Sequence, residues 1–265
     1  MISTDPIFEK KIPVRYHELD SHGNVRPVTL LNYLQDVAGM HALLLGVSVL
    51  DLRETGLTWV LSRIHLVVER YPRSDETVLV RTWPSTRKGI FSCREFELMD
   101  NQGEATGRAT TSWAALDIAT RRPVSLEERL PTYPLLARRA VDDDFQSLPT
   151  LPTLPAEAIT QETSFRVLRR DLDINNHVNN AIYASWALET VPNDVASGTL
   201  TELEISFRAE ALHGESIISR CAVVKSGLLS CCLHQIINKK DGRELARLRT
   251  RWQHPGVEVN TDVPR

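Results

Sequence analysis

The second half of this 265-residue chain repeats the first, and duplication constrains a fold strongly because each copy must be a unit that packs against its twin. Leu19, Asp20 and Val25 recur as Leu172, Asp173 and Val178, 153 residues later. Further on, Glu76, Cys93, Gly103, Arg108, Thr111 and Trp113 recur as Glu215, Cys232, Gly242, Arg247, Thr250 and Trp252, 139 residues later. The drop in offset predicts that the second copy is shorter between its helix and its strands.

Each copy opens with a short extended stretch and then a helix. In "VTLLNYLQDVAGMHALLLG" the apolar residues fall at 30, 33, 34, 37, 38, 44 and 45, an amphipathic spacing with Pro27 before it and Gly46 to end it. In the second copy Val178, Ile182 and Trp186 recur every four residues until Pro192. Alternating β-branched and polar residues predict strands near 57–69, 75–83, 90–99 and 105–117, and again near 200–208, 215–224, 229–237 and 244–253. "MDNQG" and "NKKDG" sit at equivalent hairpin turns, where Asn, Asp and Gly are expected to supply positive backbone angles. One helix followed by four strands, twice over, predicts an α+β fold with the helix packed on an antiparallel sheet. "DDDFQSLPTLPTLP" between the copies reads as an extended surface linker.

The run "DLDINNHVNNAIYASW" at residues 171–186 crowds Asp, Asn and His just ahead of an apolar helix. Such side chains can move protons, orient a water or stabilise a developing negative charge. They are equally common as turn carboxylates and helix caps. A net charge of -3 gives no overall basic field for nucleic acid. The four cysteines form no CxxC pair and no His/Cys spacing suited to zinc, so they read as reduced core or strand residues. No stretch approaches the length of a membrane span, and the N-terminus lacks a secretory pattern, so a cytoplasmic protein is expected.

Across nearly its full length the chain resembles the acyl-acyl-carrier-protein (acyl-ACP) thioesterases. "DLDINNHVNNAIYASWALE" is similar to the family signature D-x-N-x-H-V-N-N-x-x-Y-x-x-W-x-L-E, and "RTWPS", "ATGRATTSW" and "ATRRP" resemble its motifs in the first half. The resemblance implies two tandem hot-dog domains, each a long helix packed on an antiparallel β-sheet. Residues 1–140 would form the acyl-binding domain, 141–158 the linker and 159–265 the catalytic domain. It further implies hydrolysis of the fatty acyl thioester of acyl carrier protein, with no cofactor and no metal. Asp173, Asn175 and His177 would form the catalytic network, joined by Glu210 in "FRAEAL". Plant members place a cysteine directly after that acid, where this chain has Ala211, so no thiol is expected to act.

Thioester hydrolysis needs an activated water or a nucleophilic carboxylate, plus donors aimed where the carbonyl oxygen becomes negative. A helix beginning at Asn179 or Asn180 would direct its free N–H groups toward the upstream loop. Asp173 could attack directly or deprotonate water, and the sequence leaves that order open. The first-copy loop "DSHGN" carries His22 and Asn24 where the second has Asn175 and His177, and is expected to be a structural turn. His41 reads as a hydrogen-bonded residue of the core or one that supports the site from behind, rather than a ligand, and Tyr183 and Trp186 as helix packing. Arg169 and Arg170, just upstream of the run, are candidates for steering an acidic carrier protein. An acyl-CoA thioesterase and a non-catalytic acyl-binding or sensing protein are the alternative functions, and a second copy of the chain, as a homodimer, is kept open as a partner.

Overall fold

The computed structural model describes residues 5–151, 159–226 and 229–254. In chain order the first half holds β1 (Phe8–Pro13), α1 (Pro27–Leu44), α2 (Val49–Glu54), β2 (Leu57–Val68), β3 (Thr77–Lys88), β4 (Phe91–Met99), β5 (Ala105–Asp117) and α3 (Leu126–Arg129). The second holds β6 (Ile159–Arg166), α4 (Asn180–Leu188), α5 (Asn193–Ala196), β7 (Thr199–Phe207), β8 (Ser216–Ser226), β9 (Leu229–Asn238) and β10 (Glu244–Gln253).

The strands form one ten-stranded sheet in the order β1-β3-β4-β5-β2-β7-β10-β9-β8-β6, so each half contributes five neighbouring strands. The halves meet where β2 pairs antiparallel with β7, with Ile64 opposite Ile205 and Leu66 opposite Leu203. These four side chains are buried in a single core with Leu30, Leu34 and Val37 of α1 and Ala184 and Ala187 of α4. The two helices touch each other on that face. The α+β architecture and the eight strand positions agree with the sequence pattern. Two strands run further than the alternation suggested: β3 continues past Pro84 through a register shift between Pro84 and Thr86, and β8 extends to Ser226.

The helices differ from expectation in length. α1 has 18 residues, with Pro27 at its first position and Gly46 at a φ of 70° just beyond its end. α4 has only 9, so a long helix belongs to the first half alone. The Thr190 hydroxyl donates to the Ala187 carbonyl, and Pro192, lacking an N–H, prevents helical continuation. This is the shortening that the change of repeat offset required. In the two hairpin turns only Gly103 and Gly242 take positive φ, at 85° and 70°. Asp100 and Asn238 serve instead as side-chain acceptors for nearby backbone N–H groups.

The segment after α3 crosses the face of the sheet away from the helices and is tied to it. Trp83 Nε1 donates to the Arg138 carbonyl at 2.8 Å, and the Arg138 guanidinium lies 4.1 Å over the Trp83 ring. Arg139 pairs with the fully buried Glu95 at 2.9 Å, and Asp143 bonds His65 at 2.8 Å. Residues 141–151 carry the chain onward from there, with Leu148 and Leu151 buried. Residues 152–158 of the expected linker lie outside the described residues.

Candidate active site

The run of Asp, Asn and His folds as a closed turn. Leu172 and Val178 form an isolated antiparallel bridge. Asp173 Oδ1 accepts from the backbone N–H groups of Asn175 at 2.8 Å and His177 at 3.2 Å. Asn176 takes a left-handed φ of 61°, a conformation asparagine tolerates. One oxygen of Asp173 is therefore committed to the loop. The other, Oδ2, receives the Asn175 side-chain amide at 3.2 Å. His177 Nε2 lies 3.4 Å from Glu210 Oε2, both side chains about two-fifths exposed.

The loop runs straight into α4. Asn179 caps the helix, its Oδ1 accepting from Ala181 N at 2.9 Å, while the Ile182 N–H turns back to the Asn179 carbonyl. This leaves the Asn180 N–H as the first-turn donor with no hydrogen bond among the described residues. Offset arithmetic places Pro27 at the equivalent position of α1, where there is no N–H to offer. The loop before it is the same turn: Asp20 Oδ1 accepts from His22 N at 2.8 Å and Asn24 N at 3.0 Å, and Gly23 takes a φ of 78°.

A cavity of about 710 Å³ connects these elements. Asp173, Asn175, His177, Asn180 and Glu210 line one end of it. From there it enters the first half between α1 and the sheet, walled by Ala38, Gly39 and Ala42 on one side and Trp59, Leu61 and Trp113 on the other. Small residues on α1 leave this room: a Cβ built on Gly39 meets nothing within 4 Å. The cavity divides the apolar interior of the first half, with one cluster around Leu34 and Phe96 and another around Leu52 and Leu126. The loop of Asp20, His22 and Asn24 does not line it.

Four cations border the cavity: Arg94, Arg121, Arg208 and Arg243. Arg94 is buried, and burial lowers its pKa to about 10. Its Nη1 contacts His41 Nδ1 at 2.9 Å. Burial and the Arg94 charge push His41 down to about 4, so it is neutral and accepts this bond. The core reading of His41 agrees with that geometry. Arg170, by contrast, borders a separate groove with Leu168 and Trp186, so the Arg169–Arg170 pair does not line the main cavity. Tyr183, its pKa raised to about 12 by burial, accepts the Ala211 N–H at 3.0 Å. Ala211 is fully buried, and neither it nor any of the four cysteines lines the cavity.

Among the described residues, two groups of metal-capable side chains lie elsewhere. Cys221, Cys232 and His234 bring ligand atoms within 4.8 Å of one another across β8 and β9, a proximity that linear spacing does not reveal. His65, Glu202 and Glu204 do the same, but both His65 nitrogens are already bonded, to Asp143 and Glu202. Neither group touches the cavity.

Two family models match the chain: the acyl-ACP thioesterase N-terminal domain over residues 5–132 and the acyl-ACP thioesterase C-terminal domain over residues 156–254. The chain belongs to the acyl-ACP thioesterase family. A chloroplastic acyl-acyl-carrier-protein hydrolase of Cuphea viscosissima is 28 % identical over 271 residues, covering 97 % of this chain and 65 % of that protein. The chloroplastic oleoyl-acyl carrier protein thioesterase 1 of Arabidopsis thaliana is 29 % identical, covering 93 % of this chain and 76 % of its own length. The chain thus spans just under two thirds of the Cuphea relatives. Among solved structures, the 12:0-ACP thioesterase of Umbellularia californica superposes with a TM-score of 0.82 at 25 % identity, covering 95 % of both chains. An acyl-ACP thioesterase of Bacteroides thetaiotaomicron shares the fold at a TM-score of 0.74 and 23 % identity, covering 94 % of this chain and 98 % of its own. The tandem hot-dog fold is therefore established.

Sequence reasoning missed Gln35, Arg53 and the cavity arginines. Gln35 exchanges hydrogen bonds with Asn179 and Asn180, and Arg53 donates to Asn175 Oδ1. More than a hundred residues separate each pair, and a single polar position on an amphipathic helix carries no local signal of such a contact.

Proposed function

We propose that this protein hydrolyses the fatty acyl thioester of acyl carrier protein and releases free fatty acid. One observation carries the reading: a cavity with apolar walls in the first half ends against Asp173, Asn175, His177, Asn180 and Glu210, and the Asn180 N–H has no hydrogen bond among the described residues. That is the arrangement thioester hydrolysis needs, with a slot for the chain and a charge-handling site at its mouth.

Asp173 Oδ2, held by the Asn175 amide, takes a proton from water as the water oxygen attacks the thioester carbon. The His177–Glu210 pair orients that water. The Asn180 N–H at the positive end of α4 stabilises the oxygen that becomes negative. Collapse breaks the C–S bond, and Asp173 returns the proton to the departing thiolate. Single-turnover hydrolysis in ¹⁸O-water tests this order. The label should enter the fatty acid and leave Asp173 unlabelled, whereas label in the Asp173 carboxyl would show direct attack by that residue.

An anionic carrier fits the cavity mouth, where Arg208 is exposed and Arg243 makes ion pairs of 3.8 Å with Glu215 and Asp241. The family and the names of the relatives support acyl carrier protein over coenzyme A. Parallel hydrolysis of one acyl group on each carrier decides between them: a kcat/KM favouring the carrier protein supports the proposal, and equal or greater activity on coenzyme A overturns that part. A cytoplasmic location is the further proposal, read from the sequence. No described helix is long and apolar enough to cross a membrane.

A further inference from the structure

Gln35 belongs to the first half, yet its side chain borders the cavity and reaches the start of α4. Its Nε2 donates to Asn179 Oδ1 at 3.2 Å, and its Oε1 accepts from Asn180 Nδ2 at 3.2 Å. The reciprocal pair fixes the amide orientation, because the opposite flip would set oxygen against oxygen and nitrogen against nitrogen. Asn179 Oδ1 is thereby shared between Gln35 and the Ala181 N–H. The cap and the first helical residue are both held by one side chain from the other copy.

We propose that Gln35 is a positioning residue for the reaction, setting the direction of the Asn180 N–H. This rests on the thioesterase reading. The donor has no helical turn before it to stiffen it, since α4 begins at Asn180 directly after the catalytic loop. Stabilising an oxyanion depends on the donor being in place before charge develops. Gln35 supplies that fixity through two bonds on adjacent residues, and α1, 18 residues long and packed on β1 and β3, is a rigid base for it. The repeat makes the assignment specific to one site: 153 residues on, the equivalent of Gln35 is Leu188, and the α1 start that Leu188 would serve has Pro27 in place of a donor.

Removing Gln35 should therefore act on the chemical step. Gln35→Leu is expected to lower kcat by about ten- to a hundredfold, the scale of a small misplacement at a reacting centre, with KM within about twofold of the parent. Gln35→Glu adds a readout that mere glue between α1 and α4 would not move. When ionised it sets an oxygen against Asn179 Oδ1, and when protonated it can donate there as the glutamine does. The kcat ratio of Gln35→Glu to parent should rise as pH falls through the carboxyl range of roughly 4–5.

The experiment measures kcat, KM and melting temperature for parent and both variants on one acyl-carrier-protein thioester, with the pH series for Gln35→Glu. A fall in kcat at steady KM, with recovery of Gln35→Glu at low pH, supports the assignment. Parent-like kcat in folded Gln35→Leu, or a flat pH ratio for Gln35→Glu, overturns it while leaving the thioesterase reading intact. Absence of turnover in the parent overturns the reading and this inference together.

Discussion

Pro27 and Asn180 hold the same position in the two copies, first in the helix after a loop closed by the same backbone hydrogen bonds to an aspartate, and only Asn180 has an N–H and lines the cavity. That difference can be made by substitution. Asn180→Pro should fold, because proline is favoured at a first helical position and Asn179 already has the extended ψ of 135° that a following proline requires. Asn180→Ala removes the side chain but keeps the N–H. Expected is a loss in kcat of about a hundredfold or more for Asn180→Pro beyond that of Asn180→Ala, at similar melting temperatures. Equal activity in the two variants would remove the backbone donor from the mechanism.

The first-copy loop gives the complementary case. Asp20 closes its turn as Asp173 does, but it does not line the cavity. Replacing Asp20 and His22 together by alanine should cost about 1 kcal/mol for the lost turn acceptor. Turnover per folded molecule should match the parent. A loss of turnover with unchanged melting behaviour would point to a second active site there.

His65 ties the crossing segment to both halves, bonding Asp143 at 2.8 Å and Glu202 at 2.9 Å. Burial alone would lower its pKa, but the hydrogen bonds that its ring N–H groups donate to the two carboxylates outweigh it and raise the value from 6.5 to about 9. A group with a raised folded pKa contributes stability that is complete below the unfolded pKa and lost as pH rises through the folded one. The stability difference between parent and His65→Gln, followed by denaturation, should be largest below about pH 6.5 and shrink as pH rises to 9. A difference that is constant from pH 6 to 10 would show that charge on His65 contributes nothing.

Much of this structure is legible in the sequence because repetition and alternation report directly on sheets. The eight strands after the two helices, the turns at Gly103 and Gly242, and the placement of Asp173 and His177 on one loop all follow from local pattern. The length of α4 does not, since Val178, Ile182 and Trp186 keep helical spacing while the hydroxyl of Thr190 and Pro192 close the helix early. Distant contacts are illegible for a different reason. Gln35 meets Asn179 and Arg53 meets Asn175 only because β2 and β7 join the halves into one sheet, and no spacing in the chain encodes that meeting. The duplicated loop shows the converse danger: Asp20 and Asp173 accept the same backbone hydrogen bonds, and their relation to the cavity separates a turn from a candidate catalytic group.

The most direct measurement is hydrolysis of a fatty acyl-carrier-protein thioester by the parent and by Asp173→Asn, with folding checked by melting temperature. The substitution keeps Oδ1 as the acceptor that closes the loop and removes the charge at the cavity. Release of free fatty acid by the parent, falling by about two to three orders of magnitude in a folded variant, is the expected result. Parent-like rates in folded Asp173→Asn, or a parent that binds the acyl carrier protein without releasing fatty acid, would contradict hydrolysis at this loop.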